Sequence, residues 1–203
     1  MSLAVVIVSC DRYSWFWPTW YHYFSKNFGF KYPVYLINES TPCDFDGVTQ
    51  ILSPVPNVNY WTMMLREAVN QIPEDDLLIM MDDFVIHKRP NIERIYKTYS
   101  SVWADALRIM AHPNKWCKIR YVTSKYEMRF YRLTASSAYK VSFSPNIWRR
   151  DYLLKCIARD ESPWACELGD GVAGELWYVN VPGWYSPVIH NGNLTPEGKK
   201  LKI

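Results

Sequence analysis

The five cysteines (Cys10, Cys43, Cys117, Cys156, Cys166) contain no C-x-x-C pair and no zinc-ligand spacing. That leaves no support for a zinc ribbon or a dithiol redox motif, and the odd number reads as reduced thiols. Long apolar runs are also missing. The longest, Leu3–Val8, has six residues, whereas a spanning helix needs about twenty. No basic stretch precedes that run and Ser9-Cys10-Asp11-Arg12 ends it, so the sequence predicts no secretory leader and a cytosolic protein. Glycine is scarce, at 8 of 203 residues, and the 13 prolines follow no period, which excludes collagen-like and linker-like chains. Neither charge sign dominates. A net charge of +3 (23 basic minus 20 acidic residues) is too mild to imply nucleic acid. G-x-S-x-G, the Walker loop, G-x-G-x-x-G and H-E-x-x-H are all absent. Serine hydrolases, P-loop NTPases, Rossmann dehydrogenases and zincins therefore lose their usual signatures.

What is present is a chain that can build a core. Hydrophobic residues make up 49% and charged residues 21%, which excludes intrinsic disorder. A chain of this length forms one domain and buries about 70% of its unfolded surface. Aromatics stand out, with 10 Trp, 15 Tyr and 8 Phe. Such rings suit either a bulky core or surfaces that grip the flat faces of sugars and bases.

The hydrophobic pattern alternates between strands and helices. Ala4–Ser9 is a short β-branched run, as expected of a parallel strand buried on both faces. Trp15–Phe28 has helical spacing at Phe16, Trp20, Tyr23 and Phe24, with Pro18 in the first turn. Val34–Ile37 and Val48–Leu52 read as strands. Trp61–Gln71 reads as a helix, capped by Asn59 or Thr62. Leu77–Met81 is another buried strand, Ile92–Leu107 a helix, and Leu107–Ala111 a further strand. Residues 112–134 suggest antiparallel strands or a mobile loop. Ala138–Ser144 reads as a strand, Ile147–Ala158 as a helix bearing Trp148, Tyr152, Leu153 and Ile157, and Leu176–Val181 and Tyr185–Ile189 as late strands. The alternation predicts an α/β fold in one domain, a mixed and mostly parallel sheet with helices on both faces.

Several residues carry chemistry. Asp82-Asp83 follows a buried strand, at the edge where open α/β sheets bind ligands. Adjacent acids repel, and a divalent cation shared with a nucleotide diphosphate would hold them; a loop-capping pair is the structural alternative. Asp11 ends the first strand and can meet a ribose or base, or cap the next helix. Arg12 can contact phosphate or pair with Asp11. Glu167 sits in an apolar and aromatic setting, Pro163-Trp164-Ala165-Cys166, that favours a raised pKa and a general base. Trp164 can stack on a sugar. Arg149 and Arg150 can face phosphates or pair with Asp151 or Asp160. His190 is a third metal ligand or a turn residue. Between residues 112 and 134, Lys115, Lys118, Arg120, Lys125, Arg129 and Arg132 interleave with Trp116, Tyr121, Tyr126, Phe130 and Tyr131, and Glu127 is the one acid. That pattern fits a single-strand nucleic-acid platform, a phosphate-closing loop, or a basic edge that resists sheet association.

The ordered set S-C-D-R-Y (Ser9–Tyr13), D-D-F (Asp82–Phe84), S-F-S-P-N-I-W-R-R-D-Y-L (Ser142–Leu153) and E-S-P-W-A-C-E (Glu161–Glu167) resembles the small bacterial glycosyltransferases of surface-polysaccharide clusters, which have the GT-A fold. The resemblance spans roughly residues 4 to 192. It implies a nucleotide-sugar donor bound by residues 1–111 and a glycan or lipid-linked acceptor bound by residues 112–203. Asp11, Arg12, Asp82, Arg149 and Arg150 would contact the donor, and Trp148 and Trp164 the acceptor. Asp83 and His190 would hold Mg²⁺ or Mn²⁺, and Glu167 would deprotonate the acceptor hydroxyl with inversion. Met81 stands where the family's acidic motif usually has its first acid. Peripheral membrane contact is expected, and nucleic acid is not. The rival expectations are a nucleotidyltransferase acting on a sugar phosphate and a non-catalytic protein binding glycan or nucleic acid.

Overall fold

The computed structural model describes residues 2–111, 117–125, 128–169 and 171–201. The chain alternates β1 (Leu3–Val8), α1 (Trp17–Asn27), β2 (Val34–Asn38), β3 (Val48–Leu52), α2 (Trp61–Val69) and β4 (Asp76–Met81). β5 (Phe84–Ile86), α3 (Ile92–Ser101), β6 (Ala106–Met110) and the ribbon β7 (Ile119–Lys125) and β8 (Met128–Leu133) follow. β9 (Asn146–Arg149), α4 (Arg150–Cys156), α5 (Pro163–Leu168), β10 (Leu176–Asn180) and β11 (Tyr185–Pro187) complete the described frame.

One nine-stranded sheet, in the order β3-β2-β1-β4-β9-β6-β10-β8-β7, organises the molecule. β3, β2, β1 and β4 run parallel, as do β6 and β10, while β9 runs against both its neighbours. β7 and β8 extend the sheet as an antiparallel ribbon. β5 and β11 form a separate pair beyond the end of β4. The sheet is thus mixed, mostly parallel, and covered by helices on both faces, as the alternation predicts.

Strand alternation assigns the two cores. Val5, Ile7, Leu78 and Met80 meet Trp20 and Phe24 of α1 and Ile95 and Tyr99 of α3. Val6, Val8, Leu77 and Ile79 face the other way, onto Met64, Leu65 and Ala68 of α2 and Leu153 of α4. Each large side chain buried this way contributes about 1.5–3 kcal/mol. β1 and β4 have no polar alternation because both faces are covered.

Four expectations change. The spacing of Trp148 and Tyr152 predicts a helix from Ile147, but Asn146–Arg149 is a strand in the middle of the sheet. The two rings still stack, 6.0 Å apart, because β9 passes directly into α4. Four apolar-rich residues buried on both faces look the same as the first turn of a buried helix. Ala138–Ser144 forms no strand. Tyr139 has φ +52°, and its carbonyl accepts from the Arg108 guanidinium. Helix α3 stops at Ser101, because Trp103 takes φ +54° before β6 begins. The cap of α2 also differs. Tyr60 precedes the helix without a side-chain cap, and the Thr62 hydroxyl instead donates to the Arg159 carbonyl at 2.6 Å. Lys115, Trp116, Tyr126 and Glu127 of the basic segment lie outside the described residues. Among the described residues, no helix is long and apolar enough to cross a membrane.

Candidate functional site

A cavity of about 650 Å³ opens at the C-terminal edge of β1 and β4. Ser9, Cys10, Arg12 and Tyr13 enter it from the end of β1, and Glu39 from the end of β2. Met81, Asp82, Asp83 and Phe84 come from the end of β4. Val55–Val58 and Trp61 form a third wall, and Phe143, Ser144, Pro163, Trp164 and Glu167 close the far side. The parallel strands deliver their ends to one edge, which is why residues so distant in sequence meet.

Asp82 is fully buried. Its Oδ2 accepts from the Ser9 hydroxyl and from Trp17 Nε1 at 3.1 Å, and the same Trp17 N–H lies 2.7 Å from Ser9 Oγ. Burial pushes its pKa up, the Asp83 charge adds to this, and the Ser9 and Trp17 hydrogen bonds oppose it without cancelling it. Asp83 is pushed up by burial as well. Its Oδ1 is buried with no hydrogen-bond partner among the described residues. An acceptor left in that condition is costly unless something arrives to meet it.

Glu167 sits in α5, which Ser162 caps by accepting from the Ala165 N–H at 3.2 Å. Burial raises its pKa, and the Phe143 N–H (2.7 Å to Oε1) and the Arg108 charge pull the other way. A half-buried carboxylate held by the Phe143 N–H and the Ser142 hydroxyl, on a residue that lines the cavity, suits proton abstraction. Burial likewise pushes the Cys10 thiol up to about 12, so a thiolate nucleophile is not available there.

Of the residues singled out from the sequence, Arg12, Asp82, Asp83, Trp164 and Glu167 line this one cavity. Trp164 is 64% exposed and free to stack on a ligand. Asp11 does not line it. Its carboxylate accepts from Asn38 Nδ2 (2.7 Å), from the Ser40 and Thr41 N–H groups (3.0 Å each) and from the Ser40 hydroxyl. Burial alone would raise its pKa, but these bonds outweigh burial and hold the carboxyl well below its usual range. Asp11 therefore ties down the loop that presents Glu39, whose Oε2 accepts the Asp11 N–H at 2.6 Å.

Four placements are corrections. Trp148 is fully buried in the sheet and offers no face to an acceptor. Arg149 pairs in register with Asp76, at the opposite end of β4 and about 20 Å along the strand from Asp82. There its guanidinium lies 5.5 Å from the Trp103 ring centroid. Arg150 lies at that same end, donating from Nη1 to the Ile72 carbonyl at 2.7 Å. Neither arginine reaches the cavity, because β9 runs antiparallel to β4 and places Arg149, with Arg150 at the start of α4, at the far end. His190 is exposed in the two-residue strand Ile189–His190, paired with Asn193, and does not line the cavity.

Ser9, Trp17, Tyr13, Glu39, Trp61, Phe143 and Arg108 were not readable as site residues. For Ser9 and Glu39 a signal existed, since each stands at or just past the C-terminal end of a parallel strand. For the others only tertiary packing brings them in.

Among the described residues, no group of three or more His, Cys, Asp or Glu forms a metal cage. Asp83 lines the cavity, and one carboxylate there fits the mode by which Mg²⁺ binds together with substrate phosphates.

The architecture is a GT-A-like fold, the α/β frame shared by glycosyltransferases and nucleotidyltransferases. S. aureus TarS superposes with TM-score 0.61 at 11% identity, over 91% of this chain and 36% of that one. A form of TarS covering residues 1–349, in complex with UDP-GlcNAc, gives 0.58 at 13% identity, over 91% of this chain and 58% of that one. The UTP-bound UGPase of Acinetobacter baumannii gives 0.57 at 11% identity, over 92% and 88% of the two chains. The chain thus spans a third to three fifths of the TarS structures it matches. No protein-family model matches the sequence, and no curated protein matches it.

Proposed function

We propose that this chain is a nucleotide-sugar-utilising transferase that moves a glycosyl group to an acceptor hydroxyl with inversion. The observation that carries the reading is the shared cavity, into which the Asp82-Asp83 strand end and Glu167 both open. Glu167 takes the proton of the acceptor hydroxyl as its oxygen bonds the anomeric carbon. The bond from that carbon to the diphosphate oxygen breaks, and the nucleotide diphosphate leaves with the electron pair. The leaving group needs no general acid, so one base suffices. Arg12 lies in the same cavity and has no salt bridge among the described residues, which suits it to the diphosphate charge. Asp83 is the residue that would hold Mg²⁺ or Mn²⁺, and such an ion would neutralise the departing diphosphate. Asp82 holds Ser9 and Trp17 in place rather than contacting the donor itself. Trp164, Pro163 and Phe143 wall the acceptor side, and Trp61 packs edge-on to Phe143 at 4.6 Å behind it.

The structural neighbour TarS binds UDP-GlcNAc and UDP. Uridine diphosphate sugars are therefore the first donors to offer. A glycan or lipid-linked acceptor in cytoplasmic surface-polysaccharide assembly, with peripheral membrane contact, completes the reading. Nucleotidyl transfer, the chemistry associated with UGPase, is disfavoured by the segment after β1. Ser9–Ser14 carries no glycine and one cation, where a triphosphate would need a cradle. The test is product analysis. UDP-sugar with a mixed glycan acceptor should release UDP. Pyrophosphate release from UTP and sugar 1-phosphate would replace this reading with the rival one.

A further inference from the structure

We propose that the protein has a second ligand site, for a phosphate group, on the far edge of the sheet. A cavity of about 380 Å³ lies beside the start of β10. Arg120, Arg132 and Lys140 line it together with Thr134, Ala135, Ala173 and Gly174, and no acid is among its described lining residues. It opens where β10 begins, the opposite edge from Asp82-Asp83 and about 20 Å away by strand counting. Its occupant is therefore not the donor held in the first cavity, and the inference does not depend on how that cavity reacts.

Two observations point to an anion. Arg120 and Arg132 face each other directly across β7 and β8. Like charges at directly opposed positions repel and are disfavoured unless a counter-charge joins them. Glu175 supplies one, pairing with Arg132. The Arg120 and Lys140 side chains have neither an ion pair nor a hydrogen bond among the described residues. A basic edge that merely resists sheet association explains exposed charge, but not a concavity. Here the concavity is built. Ala135, Ala173 and Gly174, three small residues, line one wall. The free Arg120 fork and the Lys140 ammonium, beside an Arg132 already shared with Glu175, match the several oxygens of a phosphate better than a lone carboxylate. The phosphate belongs either to a soluble phosphate ester or to a lipid headgroup.

The test uses the full chain with two probes, glycerol 3-phosphate by calorimetry and phosphatidylglycerol vesicles by co-sedimentation, with phosphatidylcholine vesicles as control. Binding should persist in Arg12→Ala, which alters the first cavity. It should weaken about tenfold or more in Arg120→Ala/Lys140→Ala, as expected for losing charge-assisted hydrogen bonds. Both changes are near the surface, and unchanged UDP binding would show the double variant folded. Glycerol 3-phosphate binding with this pattern identifies a soluble ester. Vesicle binding alone, with the same pattern, identifies a headgroup. No binding of either probe overturns the proposal, as does equal binding by the double variant or loss in Arg12→Ala.

Discussion

Strand β4 carries an acidic pair at each end, and the two pairs live in opposite conditions. At its start, Asp76 is buried but satisfied. Tyr96 and Tyr99 donate to it at 2.8 and 3.1 Å, and Arg149 lies in register beside it. At its end, Asp82 is bonded to Ser9 and Trp17, but Asp83, which lines a cavity, keeps a buried oxygen without a hydrogen-bond partner among the described residues. The first pair is structure that the fold has completed. The second is left incomplete by the fold, and that incompleteness marks where a ligand belongs. Sequence alone shows two Asp-Asp dipeptides, Asp75-Asp76 and Asp82-Asp83; only the partners tell them apart.

The comparison breaks first at the reaction. Glu167→Gln should lower turnover by about 10²–10⁴-fold, the usual weight of a general base, while leaving donor affinity within error. Steady-state kinetics beside calorimetry of UDP binding checks both halves, and normal turnover removes Glu167 from the mechanism.

Stability should separate the two pairs next. Asp76→Ala leaves the buried Tyr99 hydroxyl without its acceptor and should cost about 1–3 kcal/mol in urea unfolding, with UDP binding unchanged. Asp83→Asn should be neutral or stabilising, because burial disfavours the Asp83 charge.

The pH dependence follows from the same carboxyls. Asp82, pushed from 3.8 to about 8, is held protonated by the fold. A folded-state pKa above the unfolded one means that this contribution is fully present below about pH 4 and is lost as pH rises through about 8. The ligand-free protein should therefore lose stability between pH 5 and pH 8, and Asp82→Asn should flatten that slope. The bonds that lower Asp11 act in the other direction, but in a window below about pH 4. A wild-type melting point that rises across pH 5–8 would contradict the assignment.

The smallest effect belongs to the arginines. Arg149→Ala and Arg150→Ala should leave UDP affinity unchanged within about twofold, since both lie at the Asp76 end. A large loss would mean that the donor spans the sheet.

How much was legible follows from the same geometry. β1, β2 and β4 are readable because strands covered on both faces are uniformly apolar. The site's two poles are readable because Asp82-Asp83 ends such a strand and Glu167 stands among Trp164, Cys166 and Pro163. β9 is not readable. Nothing local in Ser144-Pro145-Asn146-Ile147 says that a reversed strand inserts between β4 and β6, so Trp148, Arg149 and Arg150 look like one face of a helix. Asp11 was readable as a strand-end acid, but its bonds to the Asn38–Thr41 loop exist only in three dimensions.

The most direct measurement is the melting point of wild type, Asp83→Asn and Asp76→Asn against UDP, with and without Mn²⁺. At 100 times its dissociation constant a ligand stabilises by about 2.7 kcal/mol, a shift of roughly 5–10 °C for a chain of this size. The account predicts a Mn²⁺-dependent shift in wild type and in Asp76→Asn, and its loss in Asp83→Asn. A shift that survives in Asp83→Asn, or disappears in Asp76→Asn, would contradict the claim that the incomplete acidic pair is the ligand site.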